Sequence, residues 1–351
     1  MSTRERDTLE RIERVRARPL RFRDERITTA HGAGGKATLA LIEGLLAPAF
    51  GLETLADAAI VDGLALTTDS FVVRPLRFPG GSIGGLAVNG TVNDLAVAGA
   101  RPIALTLSLV LEEGLPADEL RAEIDAAAAA AAAAGVAVVA GDTKVVERGR
   151  CDGMYVTTTG LGRLDGRAGL DPGALRPGDR VLVSGAVGGH GIAIMLARGE
   201  FELAAPVESD TCSLWPAVDA LLDAAGPALR CLRDATRGGV ASVLNELARA
   251  SDVAVVVHES AVPVEPAVVG ACEILGIDPL YVANEGKLVA FVAPESAPQA
   301  LAALRSVPGC ERAAEIGEVG GEPGGLVLVE TGFGGRRVLD LLVGDPLPRI
   351  C

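Results

Sequence analysis

The chain has 351 residues, with 32 basic against 46 acidic side chains and a formal net charge of −14. That length suggests about two domains and is ample for a hydrophobic core without disulfide or metal staples. The acidic balance argues against nonspecific nucleic-acid binding, which needs clustered Lys and Arg, and 3% aromatic residues leave few stacking platforms for single strands.

Residues 1–27 form an extension in which Arg alternates with acidic residues. No apolar run follows, so it reads as a solvated segment rather than a secretory leader, with partner binding as the alternative. Next comes a Gly-rich stretch, His31-Gly32-Ala33-Gly34-Gly35-Lys36, before an apolar helix Leu39–Leu46. Its glycines let backbone N–H groups approach phosphate, and Lys36 adds a point charge; a plain flexible loop is the alternative. Asp62-Gly63 between Ile60–Val61 and Leu64–Thr68 predicts a hairpin with a type I′ turn. Gly84–Ala98 reads as a closely packed helix, Ile103–Leu111 as a strand, Pro116–Ala134 as a helix, and Val136–Ala140 and Tyr155–Leu161 as strands.

Pro172-Gly173 and Pro177-Gly178 mark a boundary near 170–179. Beyond it, a strand is expected at Arg180–Ser184, helices at 189–198, 213–225, 238–250 and 298–306, and strands at 253–258, 281–283, 287–293 and 326–330. The expected organisation is an N-terminal domain over 28–172, a C-terminal α+β domain over 173–330 and a flexible tail over 331–351. The longest apolar stretches are broken by Gly, so no membrane span is expected.

No Cys-x-x-Cys pair exists, and His31, His190 and His258 stand alone, so a structural zinc site is not expected. Wide cysteine spacing favours a reducing cytosol. Cys151, Cys212, Cys231, Cys272 and Cys310 read as small core residues. Cys351 is different, because it ends the chain. A thiol on an arm can carry a covalently bound group into a site, although a terminal Cys can also be incidental.

Acidic residues stand beside small ones at Asp69, at Asn93-Asp94 and at Asp142 in Gly141-Asp142-Thr143-Lys144. Caps and turns explain Asp69 and Asp142 well. Asp94 sits inside an apolar helix, where a carboxylate is costly unless paired, hydrogen-bonded or metal-bound. Three such carboxylates suit Mg²⁺. Asp234-Ala235-Thr236-Arg237-Gly238-Gly239 precedes a helix and reads as an anion site, and Asn284-Glu285-Gly286-Lys287 places charge between two apolar strands.

Together these motifs carry a resemblance. Residues 67–102, TTDSFVVRPLRFPGGSIGGLAVNGTVNDLAVAGARP, resemble the ATP-binding half of the superfamily of aminoimidazole ribonucleotide synthetase, selenophosphate synthetase and thiamine-phosphate kinase. With GDTKV at 141–145, DATRGG at 234–239, NEGK at 284–287 and a terminal PRIC, the chain from 28 onward is similar to the HypE family of carbamoyl dehydratases of [NiFe]-hydrogenase maturation. The resemblance implies a two-domain, mixed α/β PurM-like fold. Its N-terminal half would be a dimeric, β-barrel-type ATP-binding domain. It also implies a cytoplasmic homodimer using ATP and Mg²⁺, a carbamoyl group delivered to Cys351 by HypF, and cyanide passed to a HypC–HypD complex. By motif, Lys144 and Glu285 are candidates for the proton-accepting base. Asp69, Asn93, Asp94 and Asp142 would hold MgATP, with Asp69, Asp94 and Asp142 on the metal. Gly32, Gly34, Gly35, Lys36, Asp234 and Arg237 would close on the phosphates. Selenophosphate synthetases carry Cys or selenocysteine in the Gly-rich loop, where His31 and Ala33 stand here. The alternative is another ATP-dependent small-molecule synthetase or kinase of the superfamily.

Overall fold

The computed structural model describes residues 21–52, 56–164, 166–199, 205–344 and 349–351. Most of the Arg-rich extension, and the prolines at 346 and 348, lie outside the described residues. The Gly-rich stretch leads into α1 (Lys36–Leu41), which runs through a π-helical segment, Ile42–Leu46, into α2 (Ala47–Phe50).

The expected hairpin is β1 (Ala59–Val61) and β2 (Leu64–Phe71), antiparallel with Val61 opposite Leu64. Asp62 and Gly63 adopt φ 50° and 77°, the positive values that a type I′ turn requires. A short hairpin, β3 (Arg77–Phe78) and β4 (Gly81–Ser82), precedes α3 (Ile83–Val97). Then follow β5 (Ala100–Glu112), α4 (Ala117–Ala134), β6 (Ala137–Val146) and β7 (Met154–Leu164). The sheet order is β1-β2-β7-β5-β6.

Helix α3 is apolar or small all round because it is buried on every side. Gly84 permits its closest approach to α4, since a Cβ there would lie 2.0 Å from the Glu123 carbonyl. The opposite side of α3 reaches the C-terminal half, where Ala96 and Val97 join Leu214, Val218 and Leu221.

The C-terminal half comprises β8 (Arg180–Val183), α5 (Gly189–Ala197), α6 (Trp215–Ala225), β9 (Leu229–Asp234), α7 (Gly239–Ser251), β10 (Ala254–His258), α8 (Pro266–Leu275), β11 (Leu288–Val292), α9 (Ala297–Arg305), β12 (Ala314–Gly320), β13 (Val327–Glu330) and β14 (Arg336–Val338). Its strands form a seven-stranded mixed sheet, β14-β13-β10-β12-β8-β11-β9. Helix α7 packs with Val181, Val183, Val255 and Val289, while α6 and α9 pack with Leu182, Leu288 and Ala290. Alternate residues of the same strands thus face opposite helices, which is why these strands are apolar throughout.

Five expectations change. Residues 281–283 are not a strand; Pro279 opens a 3-10 turn over Pro279–Tyr281, and Val282 and Ala283 continue as an extended segment outside the sheet. Strand β6 does not stop at Ala140 but runs to Val146, so Asp142 and Lys144 lie within it. The N-terminal sheet is open rather than a barrel: it has five strands, short of the about eight that close a filled barrel. Part of the presumed tail belongs to the fold, because β14 pairs with β13 and Leu339 and Leu341 are buried. Finally, Cys212 is exposed, unlike the other cysteines.

Between the halves lies an apolar cluster of Phe71, Ile83 and Leu86 with Ile192, Val268 and Val282, and the chain end inserts Ile350 and Cys351 into it. No helix among the described residues is long and apolar enough to cross a membrane.

Candidate active site

The carboxylate that stands out at Asp94, half-buried in the structure, has company. Asp94 on α3, Asp234 at the end of β9 and Asp57 just before β1 bring carboxylate oxygens within 4.8 Å of one another. Like charges this close in a buried place favour protonation or a bound cation. Burial, followed by Asp234, Asp57 and Asp69, pushes the Asp94 carboxyl well above its usual range, although the Thr67 hydroxyl lies 2.8 Å away and opposes this. Asp234 is pushed up to about 8, by burial first and Asp57 second. Asp57 is also raised by burial, against the pull of Arg233, whose guanidinium is 3.1 Å from it and 2.8 Å from Glu246. Three converging carboxylates with too little compensating charge are a fitting donor set for a divalent cation that prefers hard oxygen ligands.

Beside this cluster lies the end of the chain. Cys351 is buried, with Arg237, Glu285 and Asp69 around it. Burial raises the thiol well above its ordinary range; Arg237 opposes this, and Glu285 and Asp69 add to it. Glu285 is raised well above an ordinary carboxylate, mainly by burial and then by Asp234, Asp69 and Asp210. Its Oε1 is buried without a hydrogen-bond partner among the described residues. Its backbone N–H donates to Asp210 Oδ1 at 3.0 Å, and Asp210 pairs with Lys287 at 3.2 Å. Gly286 makes this loop possible, since a Cβ there would lie 1.9 Å from the Asp210 carbonyl.

The Gly-rich loop closes over the same region. Arg237 Nη1 donates to the Gly32 carbonyl at 3.0 Å, and Ser242 Oγ donates to that of Gly34 at 2.8 Å. Gly34 has φ 72°, and a Cβ on it would lie 2.6 Å from the Arg237 carbonyl. On the other side, Gly35 abuts the Leu342 carbonyl, which accepts from the Lys36 N–H at 3.0 Å. The loop is thus held between the start of α7 and the segment after β14.

The structure therefore gathers Gly32, Gly34, Gly35, Asp69, Asp94, Asp234, Arg237, Glu285 and Cys351 in one region. Four expected site residues fall outside it. Lys36 directs its ammonium to Asp340, 2.6 Å away. Asn93 is a buried tie: its Nδ2 donates to the Cys212 and Glu285 carbonyls, and its Oδ1 accepts from the Leu214 N–H, leaving no group aimed at a ligand. Asp142 and Lys144 pair with each other at 2.9 Å and are exposed. Both sit on β6, three strands from β2 and hence roughly 14 Å across the sheet from Asp69. Asp142 lies in the register row of Ser108, Thr157 and Ser70, and Lys144 in that of Val110 and Tyr155; both are on the face opposite Thr158, which packs on α3.

Sequence reasoning missed Asp57, which only the folded sheet brings to Asp94. It also missed His190, whose ring is buried between Ser209 and the Ile350 carbonyl. The one local signal was a buried-type His inside an otherwise apolar helix.

Two family descriptions match the chain: AIR synthase related protein, N-terminal domain, over 55–164, and AIR synthase related protein, C-terminal domain, over 176–330. The carbamoyl dehydratase HypE of Rhodobacter capsulatus is 49% identical over 339 residues, covering 94% of this chain and 99% of that protein. A crystal structure of a HypE–HypF complex contains a chain 44% identical, with TM-score 0.83, covering 86% of this chain and 100% of that one. A HypE structure in complex with ATP is 43% identical, with TM-score 0.80, covering 93% and 100%.

Proposed function

Since the chain belongs to the AIR synthase-related family, and within it to the HypE carbamoyl dehydratases, we propose that it uses ATP to dehydrate an S-carbamoyl group on its own Cys351. The product is a thiocyanate whose cyanide supplies iron ligands of a [NiFe]-hydrogenase. The observation that carries this reading is the buried Cys351 thiol facing Glu285, beside the Asp57–Asp94–Asp234 cluster.

The chemistry follows from what must leave. Hydroxide is a poor leaving group, so the carbamoyl oxygen first takes the γ-phosphoryl group of ATP. Loss of one nitrogen proton gives the neutral O-phosphoryl imidate. Loss of the second expels phosphate and leaves S–C≡N, so the group has lost the elements of one water. Glu285 is placed to accept these protons: burial makes it a stronger base than an exposed carboxylate, and its Oε1 is free to accept. Arg237 lies beside the same atoms and supplies positive charge where phosphate charge develops. The Gly-rich loop at Gly32–Gly35 brings backbone groups to the same edge. Asp57, Asp94 and Asp234 fit Mg²⁺, which would neutralise nucleotide phosphate charge. These local positive groups have to overcome the unfavourable field of a chain carrying −14.

Lys144 does not meet Cys351 within one chain. Among the described residues, Leu66 on its face of the sheet and Val139 of its own strand are exposed. We assign that side of the N-terminal domain to a second copy, which would bring Lys144 and Asp142 to its neighbour's site. HypF is the proposed carbamoyl donor and a HypC–HypD complex the cyanide acceptor, in the cytoplasm.

The test is mass spectrometry of the C-terminal peptide after incubation with HypF, carbamoyl phosphate and ATP. A carbamoyl adduct on Cys351 that then loses one water is expected. A stable adduct in the presence of ATP would overturn the proposal. ATP turnover that persists on a free small molecule after deletion of Cys351 would favour a synthetase or kinase instead.

A further inference from the structure

On the dehydratase reading, Cys351 must present its thiol to Glu285. Three sets of contacts dock the chain end. Arg349 pairs with Asp152 at 2.5 Å, and its carbonyl accepts from Arg198 Nη2 at 2.5 Å and from the Arg74 N–H at 3.3 Å. The Ile350 side chain lies in the apolar cluster between the halves. The third contact is to the peptide group that carries Cys351 itself: His190 Nε2 lies 2.6 Å from the Ile350 carbonyl oxygen.

The chemistry of this contact fixes the ring. A carbonyl oxygen only accepts, so Nε2 carries the proton and the neutral ring's Nδ1 must accept. Ser209 Oγ stands 2.8 Å from Nδ1, in position to donate, and the Ser209 N–H is anchored on the Pro79 carbonyl at 2.8 Å. Phe78 meets the ring edge-on at 5.5 Å between centroids. The ring is fully buried, and burial disfavours its charged form.

The element that carries His190 is itself tied to Glu285. The Gly188 N–H donates to Asn284 Oδ1 at 2.7 Å, and the Gly191 N–H donates to the Ala283 carbonyl at 3.0 Å. Thus the first turn of α5 is braced by residues immediately preceding the proposed base. Because a peptide unit is planar, fixing the Ile350 carbonyl fixes the plane from which Cys351 projects.

We propose that His190 is a positioning residue for Cys351: its Nε2–H, aimed by Ser209, holds the Ile350 carbonyl and sets the thiol against Glu285. The importance of that position rests on the dehydratase reading above, but the docking itself can be measured without it.

The full-length protein, without nucleotide or partners, is treated with iodoacetamide, and alkylation of Cys351 is followed by peptide mass spectrometry. Exposed Cys212 serves as a control in the same molecule. Cys351 should react slowly in the parent. His190→Phe keeps the ring but not the donor, and should accelerate Cys351 about tenfold, as expected for losing one buried hydrogen bond, without changing Cys212. His190→Gln, whose amide can donate to the same carbonyl, should restore much of the protection. Ser209→Ala should give an intermediate rate. Unchanged Cys351 alkylation in folded His190→Phe, or equal acceleration in the Phe and Gln variants, would overturn the proposal. Should His190→Phe fail to fold, an unchanged rate in Ser209→Ala would overturn it equally. In turnover, His190→Phe should lower kcat for loss of water with the KM for ATP unchanged, and Gln should rescue kcat. A parent protein that shows the protection pattern but never loses water would sink the dehydratase reading and leave the dock standing.

Discussion

Asp69 on the N-terminal sheet and Arg237 before α7 lie 3.6 Å apart across the junction of the two halves. Arg237 also holds the Gly32 carbonyl and faces Cys351, Glu285 and Asp94. One guanidinium therefore touches the Gly-rich loop, the acidic wall and the reactive end of the chain. Its proton is held above the ordinary range, first by Cys351 and then by Asp69. A planar, permanently charged group suits this place better than Lys, because it can contact several oxygens at once.

Glu285→Gln removes the proposed base while keeping the size of the side chain. Turnover should fall by about 10²–10⁴-fold, the usual worth of a positioned base. ATP binding should survive, and the carbamoyl adduct should accumulate on Cys351. Mass spectrometry of the terminal peptide reads both outcomes; normal loss of water by this variant would remove Glu285 from the mechanism.

The acidic cluster predicts an unusual pH dependence. Asp234 is raised in the folded chain to about 8, above its unfolded range near 4. Between those values the folded state holds more protons than the unfolded one, so stability falls as pH rises through this window. The metal-free protein should melt at a lower temperature at pH 8.5 than at pH 6. Mg²⁺ binds the deprotonated carboxylates, so it should raise Tm more at the higher pH. Asp234→Asn should flatten the pH dependence and remove the Mg²⁺ effect. A melting series over pH, with and without Mg²⁺, decides this.

Much of this site could be read locally, and the failures have a common cause. Asp62-Gly63 encodes its own turn, and the all-round small and apolar character of α3 exposed Asp94 as out of place. Cys351 was conspicuous within the terminal PRIC motif. The expected strand ends at Ala140, just before Gly141. In the structure Gly141 lies inside β6, where a Cβ would sit 2.2 Å from the Leu107 carbonyl on the neighbouring strand. Close packing, not chain reversal, demands that glycine, and the error carried Asp142 and Lys144 off the strand. Asp57 and His190 were invisible for a different reason. Their roles arise from partners far along the chain, Asp94 and Asp234 for the first and Ile350 for the second, and no local pattern encodes such pairings.

Arg233 offers a stability test apart from catalysis. It lies between Asp57 and Glu246, largely out of water. Arg233→Met would leave the half-buried Asp57 and Glu246 carboxylates without this cation, and breaking a buried pair in this way costs up to about 3–5 kcal/mol. Urea unfolding should show a loss of that size, smaller at low pH where both acids are protonated. A change below about 0.5 kcal/mol, as at ordinary surface positions, would contradict the buried network.

Lys144 tests whether one site draws on two chains. It is exposed, paired with Asp142 and on the face of its sheet opposite α3. No side-chain rotation carries it across the sheet to Cys351, so its family-matched role requires a second copy. Lys144→Ala and Glu285→Gln should each be inactive alone. Co-expressed, they should regain activity, because a mixed dimer contains one site with an intact Glu285 and the neighbour's intact Lys144. Val139→Asp, at an exposed apolar position of the same edge strand, should convert the dimer to monomer in sedimentation and abolish the complementation. Inactive mixtures that still sediment as dimers would show that Lys144 serves its own chain or none.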